Sequence, residues 1–226
     1  LDVIVVDHHQ AEARLPDAVA VVNPNRLDEE QGYGQLAAIG VSFITIVGIN
    51  RELRNRGWYK EQSIKEPNII EWLDLVALGT ICDVVPLVGI NRALVSQGLK
   101  IMATRGNVGL KALSDVAGIS ETPGTYHAGF LLGPRVNAGG RVGRSEAGTI
   151  LLSTDDEEEA VKISSELNTY NVERQAIEAM VLEDAMDQVS QKIGPGGIVP
   201  PIIIASGHGW HPGVIGIVAG RLKEHF

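Results

Sequence analysis

The chain has 226 residues, 44% of them apolar, with a formal net charge of −9 and a single cysteine. That length suffices for one large core or two smaller ones. No apolar run approaches the roughly 18–20 residues that cross a bilayer, and Cys82 alone excludes an intramolecular disulfide or a thiolate metal cluster and fits a reducing cytoplasm. A negative balance argues against a nucleic-acid binder, which is more often basic, but two features moderate it. Carboxylates that ligate cations stay negative only until the ions arrive. The charge is also uneven: Asp155 to Glu159 form an acidic run, whereas Arg135, Arg141 and Arg144 share a nearly acid-free stretch.

Val3 to Val6 is a continuous β-branched run, the pattern of a strand buried on both faces. Val19 to Val22 is a second, closed by the turn signal Asn23-Pro24-Asn25. Helices are expected over 35–56, over 69–80 with Ile70, Leu73, Val76 and Ala77 at helical spacing, and over 91–104 with Gly106 as terminator. Strands followed by helices point to an α/β layered domain with a parallel sheet. Residues 154–191 carry the longest periodic pattern. Thr154 is the expected N-cap, Glu157 completes a capping box, and the acidic run falls in the first turn, where the helix dipole favours it. Ala160, Ile163, Leu167, Tyr170, Ile177, Val181, Ala185 and Val189 form one face. Such a helix extends about 50 Å, so it is read as a connector. Gly194-Pro195-Gly196-Gly197 breaks it; Pro201 to Ala205 then reads as a strand and His211 to Lys223 as a helix. The expected division is a first domain over 1–153, a connector over 154–193 and the beginning of a second α/β domain over 197–226. Leu1 sits inside a strand-like run and nothing resembles a signal peptide, so the chain is read as an internal piece of a longer protein.

The candidate chemistry begins at Asp7-His8-His9. In parallel α/β sheets ligands bind beyond the carboxyl ends of strands, and this triplet follows Val3 to Val6. A carboxylate and two imidazoles offer oxygen and nitrogen ligands to Mn²⁺, Mg²⁺ or Zn²⁺. Neighbouring side chains on a strand point to opposite faces, so one histidine is expected to face a metal and the other a substrate; a plain polar loop is the competing reading. Asp83 lies in the apolar segment Ile81 to Leu87, where an unpaired carboxylate is costly; a metal, an arginine or a helix end would each satisfy it. Asp74 reads as an ordinary helix-surface or helix-partner residue. Arg135 and Arg141 flank Gly139-Gly140, a spacing suited to a tight turn that brings backbone close to phosphate, and arginine forks bind phosphate bidentately. Gly213, Gly216 and Gly220 read as helix-packing positions, Trp58 and Trp72 as packing residues, and Trp210 as partly buried core rather than a base-stacking group. Asn171 and Arg174 share a helix face and are expected to pin the connector to the first domain.

Four segments, VVDHHQ at 5–10, LGTICDVVPL at 78–87, GPRVNAGGRVG at 133–143 and HGWHPGVIGIVAGRL at 208–222, together resemble the RecJ branch of the DHH phosphoesterase superfamily, in matching order over essentially the whole chain. The resemblance implies a DHH domain holding two divalent ions, Mn²⁺ or Mg²⁺, and a long helix leading to a second domain, DHHA1, that closes over nucleic acid. It implies 5′-to-3′ exonuclease action on single-stranded DNA in cytoplasmic repair and recombination, with no membrane role. Carried over, His8 is a metal ligand, Asp83 a ligand from the fourth family motif, Asp7 a ligand or orienting partner, and His9 the group facing the scissile phosphate. Arg135, Asn137 and Arg141 match the segment lining the nucleic-acid channel, and His211 opens the second domain. The family's first two aspartate motifs lie upstream of the Asp-His-His strand and are not in this sequence. The metal site is therefore expected to be incomplete and this piece inactive alone. Two alternatives remain: a DHH phosphodiesterase of short oligonucleotides or cyclic dinucleotides, and a non-catalytic scaffold.

Overall fold

The computed structural model describes residues 1–30 and 32–226. Two short strands, β1 (Ile4–Val6) and β2 (Ala20–Val22), pair in parallel with Ile4 opposite Ala20 and Val6 opposite Val22. Helices make up most of the rest: α1 (Ala38–Asn55), the single turn α2 (Trp58–Glu61), α3 (Leu73–Cys82), α4 (Gly89–Ala103), α5 (Val108–Val116), α6 (Gly133–Val142), α7 (Ala147–Ser153), α8 (Glu157–Ile193) and α9 (Pro212–His225). A 3₁₀ turn over Ile69–Trp72 leads into α3, and a π-helical segment over His127–Leu132 leads into α6. The arrangement is α/β, mostly helical around a small parallel sheet.

Several expectations change. The β1 run is apolar as a doubly covered strand should be, yet Val3, Ile4 and Val6 are exposed. The described sheet has two strands only, too few to bury a strand on both faces. The 69–80 helix divides into the 3₁₀ turn and α3, so Ile70 is exposed while Leu73, Val76 and Ala77 are buried. Trp58 and Trp72 are exposed rather than packed. Asp74 is not on a helix surface: it is buried, one carboxylate oxygen accepts the Leu75 amide at 2.7 Å, and burial pushes its pKa up. The reason lies in α3 itself, which is apolar nearly all round, the signature of a core helix. A Cβ at Gly98 would collide with the Leu73 carbonyl and Ala77, so α4 crosses α3 at backbone contact.

The apolar interior falls into separate clusters. Phe43, Leu73 and Val76 join α1 to α3, and a larger cluster gathers Leu78, Met102, Leu113, Leu132, Leu151, Ile163 and Leu167. A distant one is built from Val181, Ala185 and Val189 of α8 with Val214, Val218 and Leu222 of α9. Helix α8 takes part in both of the last two. Its 37 residues extend about 55 Å. Residues 201–205, expected as a strand, are not one. Ile203 and Ala205 pack inward and Ile202 and Ile204 point out, which is the alternation of a strand. No described strand lies alongside to complete a ladder; α8 side chains take its polar groups instead, with Lys192 Nζ donating to the Ile204 carbonyl at 2.9 Å and Gln188 bonding Ser206. No described helix is long and apolar enough to cross a membrane.

The start of α8 also differs. Asp156, not Thr154, is the N-cap, accepting the Glu159 amide at 2.9 Å. Thr154 accepts the Asp156 amide and bonds the Glu159 carboxylate, bracing the cap from outside the helix. Asp156→Ala should therefore lower stability by about 1 kcal/mol, and Thr154→Ala by less. Urea unfolding at constant m-value measures the difference, and the reverse order would restore Thr154 as the cap.

Candidate metal and nucleic-acid site

The ladder between β1 and β2 runs one residue beyond the strands, because the Asp7 amide donates to the Val22 carbonyl at 3.0 Å. The Asp7-His8-His9 turn is then strapped from the β2 side. Asn23 Nδ2 donates to the His9 carbonyl at 2.9 Å and Asn25 Nδ2 to the His8 carbonyl at 2.6 Å. Asn23 in turn accepts the Asn25 amide at 2.8 Å. The Asn23-Pro24-Asn25 signal thus marks a turn and also a clamp on the triplet, a role its sequence did not announce. Gly34 is required beside it, since a Cβ there would collide with Asn25 Oδ1.

Within the triplet the two imidazoles stay in ring contact, centroids 4.5 Å apart, but take different partners. Asp7 Oδ1 accepts the His8 amide at 2.8 Å and bonds His9 Nδ1 at 2.7 Å. These bonds, the one to His9 foremost, hold the Asp7 pKa below the usual carboxylate value. The His9 side chain remains 78% exposed. His8 turns inward, its side chain 16% exposed, with Nδ1 3.5 Å from Asp83 Oδ2. The Asp7-His8-His9 triplet and Asp83, far apart in the sequence, thus meet at one place. No group of three or more His, Cys, Asp or Glu side chains is arranged to hold an ion among the described residues. His8 and Asp83 converge as a nitrogen–oxygen pair from distant parts of the chain.

Asp83 closes α3 as its C-cap, and Val84 follows with φ 60°. A left-handed backbone is costly for a β-branched residue, and it turns the chain sharply beside a candidate ligand. Cys82, just before, is a spectator: burial, with a smaller contribution from Asp83, pushes its thiol up to about 11.

The arginine-glycine segment is not a tight turn. Residues 133–142 form α6, with Gly139 buried in its last turns, where a Cβ would collide with the Arg144 carbonyl and press on Leu167. Gly133, Gly139 and Gly143 serve close packing, whereas Gly140 faces open space, and the π-helical segment already carries the chain into helix at Gly133. Arg135 lies in the seam between α6 and α8, Nε donating to Asn168 Oδ1 at 3.0 Å and Nη1 to the Leu131 carbonyl at 2.7 Å. Burial lowers its pKa from the ordinary guanidinium value. Asn137 and Arg141 face a cleft of about 590 Å³ whose other walls include Cys82, Phe130, Arg174, Glu178 and Arg221. Arg141 Nη1 donates to the Gly213 carbonyl at 2.9 Å, and His211 caps α9 by accepting the Gly213 amide at 3.0 Å. A Cβ on Gly213 would overlap the Arg141 carbonyl. Arg141 and His211 therefore meet where α6 abuts α9, while Arg135 sits apart. Trp210 is partly buried against the second cluster, its indole N–H donating to Asp184 Oδ2 at 3.0 Å.

Arg174, Glu178 and Arg221 were not among the candidate site residues. Arg174 donates to Asn171 Oδ1 at 3.0 Å and to Glu178 Oε2 at 2.5 Å, and Arg221 lies 3.7 Å from Glu178. Both Arg174 bonds stay within α8, and Glu178 makes the contact to Arg221 on α9. The sequence signal was the polar interruption of the apolar face between Leu167 and Val181.

The strain at Val84 is testable. Its side chain is 86% exposed, so removing it sacrifices little packing. Val84→Gly should raise stability by up to about 1 kcal/mol, the relieved strain being partly offset by glycine's unfolded-state entropy. A fall in the urea midpoint would contradict the assignment.

No family model matches the chain. It is similar to the single-stranded-DNA-specific exonuclease RecJ of Salmonella typhimurium, 42% identical over 237 aligned residues that take in 100% of this chain and 40% of that protein. It superposes with a TM-score of 0.76 on a crystal structure of exonuclease RecJ bound to manganese, at 32% identity over 99% of this chain and 52% of that one. RecJ from Thermus thermophilus in complex with Mn²⁺ gives a TM-score of 0.77 at 32% identity, over 100% of this chain and 31% of that one. The chain spans about two fifths of the length of the Salmonella relative. Over its whole length the chain is similar in both sequence and fold to RecJ exonucleases.

Proposed function

We propose that the protein is a metal-dependent exonuclease that hydrolyses single-stranded DNA from the 5′ end, and that this chain carries the His8–Asp83 side of its metal centre and part of its DNA cleft. The observation that carries the reading is the approach of His8 Nδ1 to within 3.5 Å of Asp83 Oδ2, at the end of the same helix whose Cys82 lines the arginine-bearing cleft. Relatives named as single-stranded-DNA-specific exonucleases and neighbours bound to Mn²⁺ support it.

The donors fit a borderline-hard divalent cation. An imidazole nitrogen and a carboxylate oxygen share one point, and Mn²⁺ accepts both types. His8 and Asp83 are the residues that would hold it, with Asp7 orienting the turn. When bound, Mn²⁺ or Mg²⁺ supplies Lewis-acid stabilisation of phosphoryl charge and a more acidic water. The chain's own residues do the rest. The bond from Asp7 occupies His9 Nδ1 and leaves Nε2 to meet the scissile phosphate. The lowered Asp7 pKa keeps that carboxylate ionised, so the hold on His9 persists at neutral pH and is lost only as pH falls through the depressed Asp7 value. Asn137, Arg141 and His211 bind the DNA backbone beside the cleft, and Arg135 supports that wall from within the α6–α8 seam.

The same reading divides the protein into a DHH domain over 1–153, a connector over 154–193 and the beginning of DHHA1 over 197–226, supported by the separate apolar clusters at the two ends of α8. It places the protein in the cytoplasm, acting in repair and recombination, and takes this piece alone to be inactive. The test is degradation of a 5′-labelled single strand by the full-length protein with Mn²⁺. Outer-shell changes at metal sites commonly cost 10–100-fold, so His8→Ala and Asp83→Ala should each cost at least about 100-fold, with weakened Mn²⁺ binding by calorimetry. Long single strands left intact in the presence of Mn²⁺ would refute the proposal, and faster turnover of dinucleotides than of long strands would move it to short oligonucleotides.

A further inference from the structure

Asn91 is a polar side chain in an apolar place. On α4 it heads the buried stripe continued by Val95, Gly98 and Met102. Its Nδ2 donates to the Gln35 carbonyl at 2.7 Å and to the Pro86 carbonyl at 3.0 Å, while its Oδ1 is buried with no partner among the described residues. A buried carbonyl left unsatisfied carries a desolvation cost. An apolar side chain would fill the stripe without that cost, so the asparagine is explained by what its two N–H bonds hold together.

One of the two is the loop over 84–88, which carries the chain from Asp83 to α4 outside any regular element. The loop turns sharply at both ends, with φ 60° at Val84 and 48° at Gly89. The other is the backbone just before α1. Leu36 and Ala37, which follow it directly, are buried, so that backbone is anchored in the interior. Asn25 grips the same stretch: its Nδ2 donates to the Gly34 carbonyl at 3.0 Å as well as to the His8 carbonyl at 2.6 Å. The bonds therefore run in series, from the His8 backbone through Asn25 to residues 34 and 35, and from there through Asn91 to the loop behind Asp83. Each asparagine spends both N–H groups on backbone carbonyls of two separate segments. The His8 imidazole and the Asp83 carboxylate are left facing each other at 3.5 Å.

We propose that Asn25 and Asn91 are positioning residues for the metal pair, stapling the turn that carries His8 to the loop that follows Asp83 and so setting how tightly the pair takes up a divalent cation. The inference rests on the metal reading above and adds to it residues that act through the backbone of the ligands. Ligands borne on two loops lose affinity when either loop wanders, because the cation must then bear the cost of ordering it.

The test is calorimetric titration of Mn²⁺ alone into the full-length protein, with the half-saturating Mn²⁺ concentration of strand cleavage as a second readout. Asn91→Asp keeps the size of the side chain and removes both donors; Asn25→Ser breaks the other half of the staple. Each should weaken Mn²⁺ binding roughly 10- to 100-fold and raise the half-saturating Mn²⁺ concentration, with the maximal rate at saturating Mn²⁺ much less affected. Gly34→Ala, whose Cβ would collide with Asn25 Oδ1, should act in the same direction. Because the two bonds act in series, the double variant should lose little more than the weaker-binding single variant. Leu113→Ala, which removes a fully buried side chain of α5, is the stability control: it should lower the melting temperature at least as much and leave Mn²⁺ affinity within about twofold. Unchanged Mn²⁺ affinity in the single variants, a loss no greater than that of Leu113→Ala, or fully additive losses in the double variant would overturn the staple while leaving the exonuclease reading intact. Failure of the unaltered protein to bind Mn²⁺ would remove both.

Discussion

The arrangement depends on how one helix divides its buried face. Along α8, Ala160, Ile163 and Leu167 enter one apolar cluster and Val181, Ala185 and Val189 enter another. Between them the face turns polar at Asn171, Arg174 and Glu178. A guanidinium held in that position is tolerable only if paired, because an unpaired buried charge costs several kcal/mol. Asn171 and Glu178 supply the pairing, and Glu178 also reaches Arg221 on α9. The apolar cluster seats α9 on α8, and the polar interval beside it supplies part of the far wall of the cleft.

The near wall is set by glycine. Gly129 and Gly133 let the π-helical segment and the start of α6 lie against Ile81 and Cys82, and Gly213 lets the end of α6 meet the start of α9. The first of these contacts brings the cleft to the end of α3, where Asp83 faces His8. The candidate metal pair and the candidate DNA surface are adjacent because glycine backbone there lies directly against the Ile81 and Cys82 side chains, where a Cβ would crowd or collide. Gly213 acts as the packing position its sequence context suggests, and Gly139, which reads as a turn former in the linear sequence, acts here as a spacer between helices.

Electrostatics within the cleft follow from the same packing. The chain's net charge of −9 would disfavour nucleic acid if spread evenly. It is not: the acidic run lies at the first turn of α8, where the dipole favours it, while Arg141, Arg174 and Arg221 converge on one concavity with Glu178 as the acidic residue among them.

The candidate site residues were legible in the sequence, since Asp7, His8, His9 and Asp83 stand out as polar groups at the ends of apolar runs. The long helix was legible too, because a 3.6-residue periodicity sustained over 37 residues needs no tertiary knowledge. Three matters were not local. Whether β1 is covered and whether 201–205 pairs as a strand depend on neighbours, and a strand's own pattern does not state whether they are present. The N-cap passed from Thr154 to Asp156 because both can accept a backbone amide, and only the approach direction of the chain chooses between them. The role of 133–143 was inverted: a Gly-Gly flanked by arginines is compatible with turn or helix, and the π-helical segment, seated on α3 by long-range contact, decides for helix. That choice draws Arg135 partly into the α6–α8 seam and opens Arg141 to the cleft. Sequence alone thus singled out the candidate groups and determined the long helix, because these follow from side-chain chemistry and local periodicity. Tertiary structure decided which groups meet, because that depends on how closely distant backbones can approach.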